Sequence, residues 1–358
     1  MHSLRPIRNR LLRSAGLGAR NFLDTAIEHW EVSPAEKVNI PGGIWLPDQV
    51  EHIAQTEFGG LSDILAQMLG DPQEPIAATR AFRLRDVDYV DGVLHARGAE
   101  LHLRQRKHSG LTYARPTESL SAALYESWIG NRWFGNWLLN DCLTYRLAEA
   151  EGRPATTAPE RGGHIRRYEE LLGMAPRRLG DVHFDELVLF DDLHNNSSRR
   201  ARAQENRARI LAGRELRPLP GVFIFRGASG DARILENEAE IAERFEAEHG
   251  FRTLFIDRDS ADEIAGACGA ARIVAGVEGS QLAHGVIAMP PGGTLLTLQP
   301  ADRVTTSMKM LTDCWRQNFA MVVGAGGKSG FRIDWDQVNR TLDLIAATAT
   351  QNPSEQSG

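Results

Sequence analysis

Residues Gly269 to Gln299 constrain the fold more than any other stretch of the chain. A short apolar run, Arg272 to Ala275, ends in a turn at Gly276. Small residues then open a helix near Gly279, and Pro290-Pro291 stops it. Gly292-Gly293 turns the chain into a second apolar run, Thr294 to Leu298. Strand, glycine turn, helix, proline stop and strand make a βαβ unit. Backbone N–H groups at such a helix start are unpaired, and the helix dipole favours an anion there, usually a phosphate. The same pattern serves equally well as a plain packing unit, and spacing alone does not separate the two.

The rest of the second half extends this pattern. Strands are expected at Gly221–Arg226, Arg252–Ile256 and Asn318–Val323, and helices at Ile234–His249, Ser260–Cys268, Thr305–Cys314 and Asp334–Ala347. Strands alternating with helices predict an α/β fold with a doubly wound parallel sheet. Ligands of such sheets bind outside the carboxyl ends of the strands, here near Arg226, Asp257, Gly276 and Gln299.

The first half is less regular. Phe82 to Ala96 alternates around Asp91-Gly92, a hairpin signal, and Leu101–Arg106 follows as a third strand. Trp137–Leu147 has helical spacing and carries Asn140 and Asp141, polar groups that need partners if buried. Val182–Asp192 alternates as a strand. The boundary between two domains falls between Asn195 and Arg217, and 358 residues suffice for both. The expected division is a basic segment 1–36, an N-terminal domain 37–200, a C-terminal domain 201–347 and a disordered tail 348–358.

Charge and cysteine usage limit the partners and the compartment. A net charge of −6 argues against a general nucleic-acid binder. Cys142, Cys268 and Cys314 are scattered without a CxxC, which fits a reducing compartment and no zinc site. No apolar run reaches spanning length and no signal peptide is visible, so a cytoplasmic location is expected. Arg5, Arg8, Arg10, Arg13 and Arg20 precede the first acid, Asp24, with leucines between them. That segment reads as a disordered tail or as a peripheral contact to the inner membrane face, and composition favours the tail.

Three motifs bear on chemistry. Arg226 directly follows an apolar strand, where a guanidinium can clamp a diphosphate, and Arg233 comes next. Asp257-Arg258-Asp259 can hold a divalent cation, but Asp259-Ser260 reads better as a helix cap. Gly324 to Ser329 imitates a phosphate loop but has Val322 where its first glycine belongs, so it reads as a flexible loop.

Taken together, Ile224-Phe225-Arg226, Arg233-Ile234-Leu235 with Asn237-Glu238, Gly250-Phe251 and the segment from Ala270 through Gly292 resemble glycosyltransferase family 61. That family includes bacterial capsular polysaccharide transferases, plant xylosyl- and arabinosyltransferases and animal protein O-GlcNAc transferases. The resemblance covers Val182 to Ala347, with a weaker echo at Asn136 to Asn140. It implies a GT-B-like architecture, two Rossmann-like domains facing a cleft. It also implies an inverting, metal-independent hexosyl- or pentosyltransferase with no required cofactor. The donor would be a nucleotide sugar, a UDP-sugar by expectation, and the acceptor a glycan of capsule or other surface polysaccharide.

By the same resemblance the diphosphate-binding arginine falls on Arg226 and the backbone cradle on Gly279, Ser280 and Gln281. Arg233, Asn237 and His284 complete the expected donor site. Glu278 stands where the family has histidine, His284 where it has asparagine, and Thr297 where it has glutamate. A carboxylate at Glu278 repels a diphosphate unless Arg226 or Arg233 pairs with it. The general base is expected to be Asp141, from the N-terminal domain, or else Glu278. Loss of the family histidines also motivates a second reading, a non-catalytic nucleotide-sugar-binding relative acting as a partner or regulator. A dinucleotide oxidoreductase is a third, set back by the absence of its glycine fingerprint.

Overall fold

The computed structural model describes residues 2–19, 21–108, 110–227 and 233–351. Arg20 of the basic segment and the end of the expected tail, 352–358, lie outside them. The chain forms two compact units, residues 1–36 with 76–202, and residues 37–75 with 203–358.

The second unit carries a six-stranded sheet. Its strands are β1 (Leu219–Phe225), β2 (Arg252–Phe255), β3 (Ala271–Val277), β4 (Thr294–Pro300), β5 (Asn318–Gly327) and β6 (Gly330–Arg332). Their order is β2-β1-β3-β4-β5-β6, all parallel except the short hairpin partner β6. On one face Phe223, Val277, Leu296 and Val322 pack against Ile241 and Phe245 of the helix Glu238–His249 and Val338 and Leu342 of the helix Trp335–Gln351. The helices Ala261–Gly269 and Ala283–Ala288 pack on the other face, where Gly285 lies against Val274. Strands covered on both faces are buried on both, which is why β4 and the second half of β3 show no in–out alternation. The doubly wound sheet expected for the C-terminal half is present. Its order reverses between β1 and β3, and the crevice outside those two carboxyl ends is where such sheets take ligands.

Residues 37–75 belong to this second unit, not to the N-terminal domain assigned from sequence. Ile44 forms a parallel bridge with Ala320 and donates its N–H to Phe319 O at 2.8 Å. Gln49, fully buried, accepts the Val323 N–H at 2.6 Å. The excursion covers an edge of β5 that β6 leaves open, since β6 pairs only with residues 325–327.

The first unit contains an eight-stranded mixed sheet. Its longest strand, Thr79–Val90, pairs antiparallel with Val182–Asp191, Val93–Ala96 and Glu28–Ser33. Ser119–Leu124 pairs parallel with both Val182–Asp191 and Pro154–Thr156. The expected second Rossmann-like domain would have a parallel sheet, whereas the hairpin at Asp91-Gly92 forces antiparallel neighbours. Asp91 and Gly92 have φ of 48° and 83°, as a two-residue hairpin turn requires. The division between units falls inside the helix Ser197–Leu211, after Arg202.

Four local expectations change. The helix expected from Ile234 begins at Glu238, because Ile234 and Glu236 hydrogen-bond to the β5–β6 hairpin at Lys328 and Phe331. The stretch 324–329, expected as a flexible loop, is the end of β5 and its turn into β6. The last helix continues past Ala347 to Gln351. The basic segment is no disordered tail: Arg5–Ser14 is a helix, anchored by buried Asn9, whose side chain donates to Ala96 O and Ala99 O and accepts from Gly98 N.

Candidate functional site

The loops leaving β1 and β3 bring two polar clusters to the switch point of the second unit. The first is built on Arg226, one residue past β1. Its backbone N–H and that of Gly227 donate to the two carboxylate oxygens of Glu238 at 2.7 and 2.8 Å. Glu238 is the first residue of its helix, where the helix dipole favours a carboxylate, and that carboxylate orients the turn after β1. Its burial raises its pKa against the effect of those two bonds. The Arg226 guanidinium donates to Gln281 Oε1 at 2.8 Å, and Gln281 Nε2 donates back to Val277 O at the end of β3.

Gly279 has a φ of 157°, a conformation that a residue with a Cβ rarely adopts. A Cβ there would collide with Arg226 Nη1 and with Gln281 Oε1. Ser280 is half-buried beside it and opens a 3-10 turn, Ser280–Leu282, that leads into the helix Ala283–Ala288. Burial, reinforced by Arg233, depresses the Arg226 pKa to about 10. A charge held at such cost gains by meeting an anion.

The second cluster is built on Glu278, 5 % exposed and one residue past β3. Its Oε2 pairs with Arg233 and, at 2.9 Å, with Arg303 Nη1. The pairing that the sequence demands of this carboxylate is therefore formed, by Arg233 together with a second arginine. Arg303 follows β4 and sits over the Phe58 ring at 5.7 Å, with Glu57 at 3.9 Å. Arg233 is itself buried, and its Nε has no hydrogen-bond partner. Two guanidiniums thus pair with one carboxylate, and the third, Arg226, lies close enough for Arg233 and Glu278 to act on its charge. The arrangement can accept an anion with two or more charged oxygens, provided that anion displaces or shares Glu278.

The structure does not bring every expected residue to this place. Asn237 spends both ends of its amide on Ile333, donating to its carbonyl at 2.9 Å and accepting its N–H at 3.1 Å, so it ties β6 to the helix Glu238–His249. His284 is 2 % exposed inside its helix. Asp141 lies in the first unit, 2 % exposed, where it accepts from Ser127 N at 3.1 Å and Ser127 Oγ at 2.7 Å. Burial pushes its pKa up to about 8 despite those bonds. Asn140 accepts from Arg199 at 2.6 Å, within a buried network centred on Asp192. Ser260 caps its helix in a reciprocal box with Glu263, and Asp259 accepts from Phe255 N, as the capping alternative for Asp-x-Asp expects. Among the described residues no three His, Cys, Asp or Glu side chains gather as metal ligands.

A protein-family comparison bears on this site. The family model Glycosyltransferase 61 matches residues 58–296, more than half of the chain. The chain belongs to glycosyltransferase family 61. No curated protein matches it. The family match begins at Phe58, far earlier than the resemblance at Val182 to Ala347, and so takes in most of the first unit. As a family 61 glycosyltransferase the chain has a nucleotide sugar as its donor class, and Arg226, Glu278 and Gly279 all lie within the matched region. Arg303 and Phe58 were not singled out from sequence, and the only local signal for Arg303 was the strand end at Gln299. Glu238 was legible only as part of the family-like Asn237-Glu238 pair, not as the group that holds the turn after β1.

Proposed function

We propose that the chain is an inverting glycosyltransferase that moves a hexose or pentose from a nucleotide diphosphate sugar to a glycan acceptor, without a required metal. The acceptor hydroxyl attacks the anomeric carbon in line, a base takes its proton, and the nucleoside diphosphate leaves. Arg226, Arg233 and Arg303 stabilise the charge that develops on the leaving diphosphate, with Gly279, Ser280 and Gln281 lining its approach. The observation that carries this reading is the convergence of three arginines at the β1/β3 switch point of a doubly wound sheet. A UDP-sugar as donor and capsule or other surface polysaccharide as destination are part of the same proposal, which family membership supports.

A second reading, donor binding without transfer, is favoured by the state of both candidate bases. Asp141 is sealed and, with a pKa near 8, largely protonated at neutral pH. Glu278 is held by two arginines. Thermal-shift titration of the full chain with UDP, GDP, CMP, TDP and NAD, with and without Mn²⁺, tests the binding common to both readings. One nucleoside diphosphate at a hundred times its Kd should stabilise by about 2.7 kcal/mol without metal. Arg226→Lys should lose most of that gain, because a point charge does not replace a fork. Stabilisation by NAD alone, or by nothing, would overturn the site. Hydrolysis or transfer of the matching donor sugar then separates the enzyme from the non-catalytic relative.

A further inference from the structure

The helix Arg5–Ser14 is oriented by contacts within the first unit. Asn9 and Pro6 face inward, Asn9 through its three hydrogen bonds to residues 96–99. Arg5 reaches Asp86 and, at 3.1 Å, Asp88. This orientation leaves Leu4, Arg8, Leu11 and Ala15 exposed, at the spacing that places them along one helix face. Leu4 and Leu11 are 61 % and 65 % exposed. Leu111, 60 % exposed, lies two residues before Tyr113, which pairs with Ser3 in a short antiparallel ladder next to Leu4.

A cavity of about 250 Å³ opens on the same side, lined by Arg5, Arg8, Asp86, Arg97 and Arg115 around Ser3. The Asp86 carboxylate is claimed by Arg5. Arg8, Arg97 and Arg115 meet no carboxylate among the described residues. Three unclaimed guanidiniums around a cavity below the usual 300–1,000 Å³ range of small-molecule sites suit a phosphate group rather than a nucleotide. A dissolved phosphate or a nucleic acid would use the arginines and gain nothing from the leucines. A lipid surface uses both, the arginines at the headgroup phosphates and the leucines at the boundary of the acyl layer. The chain as a whole is acidic, at −6, so an anionic surface repels most of it and attracts this face, which fixes how it lands.

We propose that this face docks on an anionic phospholipid surface, with a lipid phosphate held between Arg8, Arg97 and Arg115 and with Leu4, Leu11 and Leu111 entering the headgroup layer. The inference is independent of the donor site, and its test does not use activity. The full chain is floated with vesicles of phosphatidylcholine alone and with vesicles containing a third phosphatidylglycerol, at 0.1 M salt. Two variants accompany it, Arg8→Gln/Arg97→Gln/Arg115→Gln and Leu4→Ser/Leu11→Ser/Leu111→Ser. Wild type should bind the phosphatidylglycerol vesicles only. The arginine variant should weaken that binding roughly a hundredfold, on about 1 kcal/mol per arginine. The leucine variant should also weaken it, and both should keep the wild-type melting temperature, since every altered side chain is exposed. Equal binding to both vesicles, or to neither, overturns the proposal. So does loss of binding in the arginine variant with none in the leucine variant, because that pattern is phosphate recognition without a membrane. A lowered melting temperature in either variant would place its side chains in the fold and equally overturn the assignment.

Discussion

At the scale of single residues, the decisive group is Glu278. Both of its arginine partners contact the same oxygen, Oε2, and all three side chains are mostly buried. Removing a buried carboxylate strands the cations it neutralised, which typically costs about 3–5 kcal/mol. The same removal frees two guanidiniums for an incoming diphosphate. Glu278→Gln should therefore melt at lower temperature without ligand and gain more stability than wild type when a nucleoside diphosphate is added, with affinity up roughly tenfold, the size of one charge-assisted hydrogen bond. Urea denaturation and ligand-dependent melting read the two effects separately. Weaker ligand binding in this variant would show that Glu278 aims the arginines rather than competing with their ligand.

At the scale of elements, two helices behave differently from their sequence signals. The helix after Gly279 looked like an anion site built on a helix dipole. It is a 3-10 turn followed by only six helical residues, so few peptide dipoles are aligned. Anion binding as proposed for that place would therefore rest on the arginines rather than on a helix dipole. The helical run 134–150 is interrupted by a π-helical stretch, Trp137–Asp141, which turns Asp141 into the interior. There its carboxylate fixes Ser127, which caps the short helix Trp128–Arg132 through Gly130 N, and it fills the space a Cβ at Gly130 would need.

Asp141 therefore predicts a pH effect on stability. Its folded pKa, about 8, lies far above the ordinary aspartate value of 3.8. The protonated form is favoured by folding, so the contribution is full below about pH 4 and is lost as pH rises towards 8. Denaturation curves between pH 5 and 8 should fall more steeply for wild type than for Asp141→Asn, by up to about 1.4 kcal/mol per pH unit. Parallel curves would mean that the carboxyl is already ionised in the folded protein.

At the scale of the whole molecule, the chain enters the second unit early, leaves it, and returns. Residues 37–75 cover the edge of β5, and Gln49 closes the contact by accepting the Val323 N–H. An unsatisfied buried donor costs about 1–3 kcal/mol, so Gln49→Ala should lose that much stability in denaturation. The effect should appear although Gln49 and Val323 lie far apart in sequence. A neutral substitution would mean that water reaches this edge. Phe58 and Glu57, which reach Arg303, come from the same excursion. The early segment thus contributes to the candidate site as well as to the sheet.

What the sequence determined by itself is what short-range physics can encode. The turn at Gly276 to Gly279, the stop at Pro290, the apolar β3 and β4, the Asp91-Gly92 hairpin and the cap at Ser260 each depend on neighbours a few residues away. Arg226 was legible for the same reason, since a charged residue ending an apolar strand marks the strand's carboxyl end. Tertiary structure alone decided that Arg303 and Arg233 share Glu278, that Glu238 aims Arg226, that Asn237 serves Ile333 and that Asp141 is sealed. It also decided where residues 37–75 pack and that the basic segment is a docked helix. Each of these depends on partners that the fold brings together from distant parts of the chain. No local period or cap specifies such a partner, because burial and pairing arise only when the whole chain has closed around them.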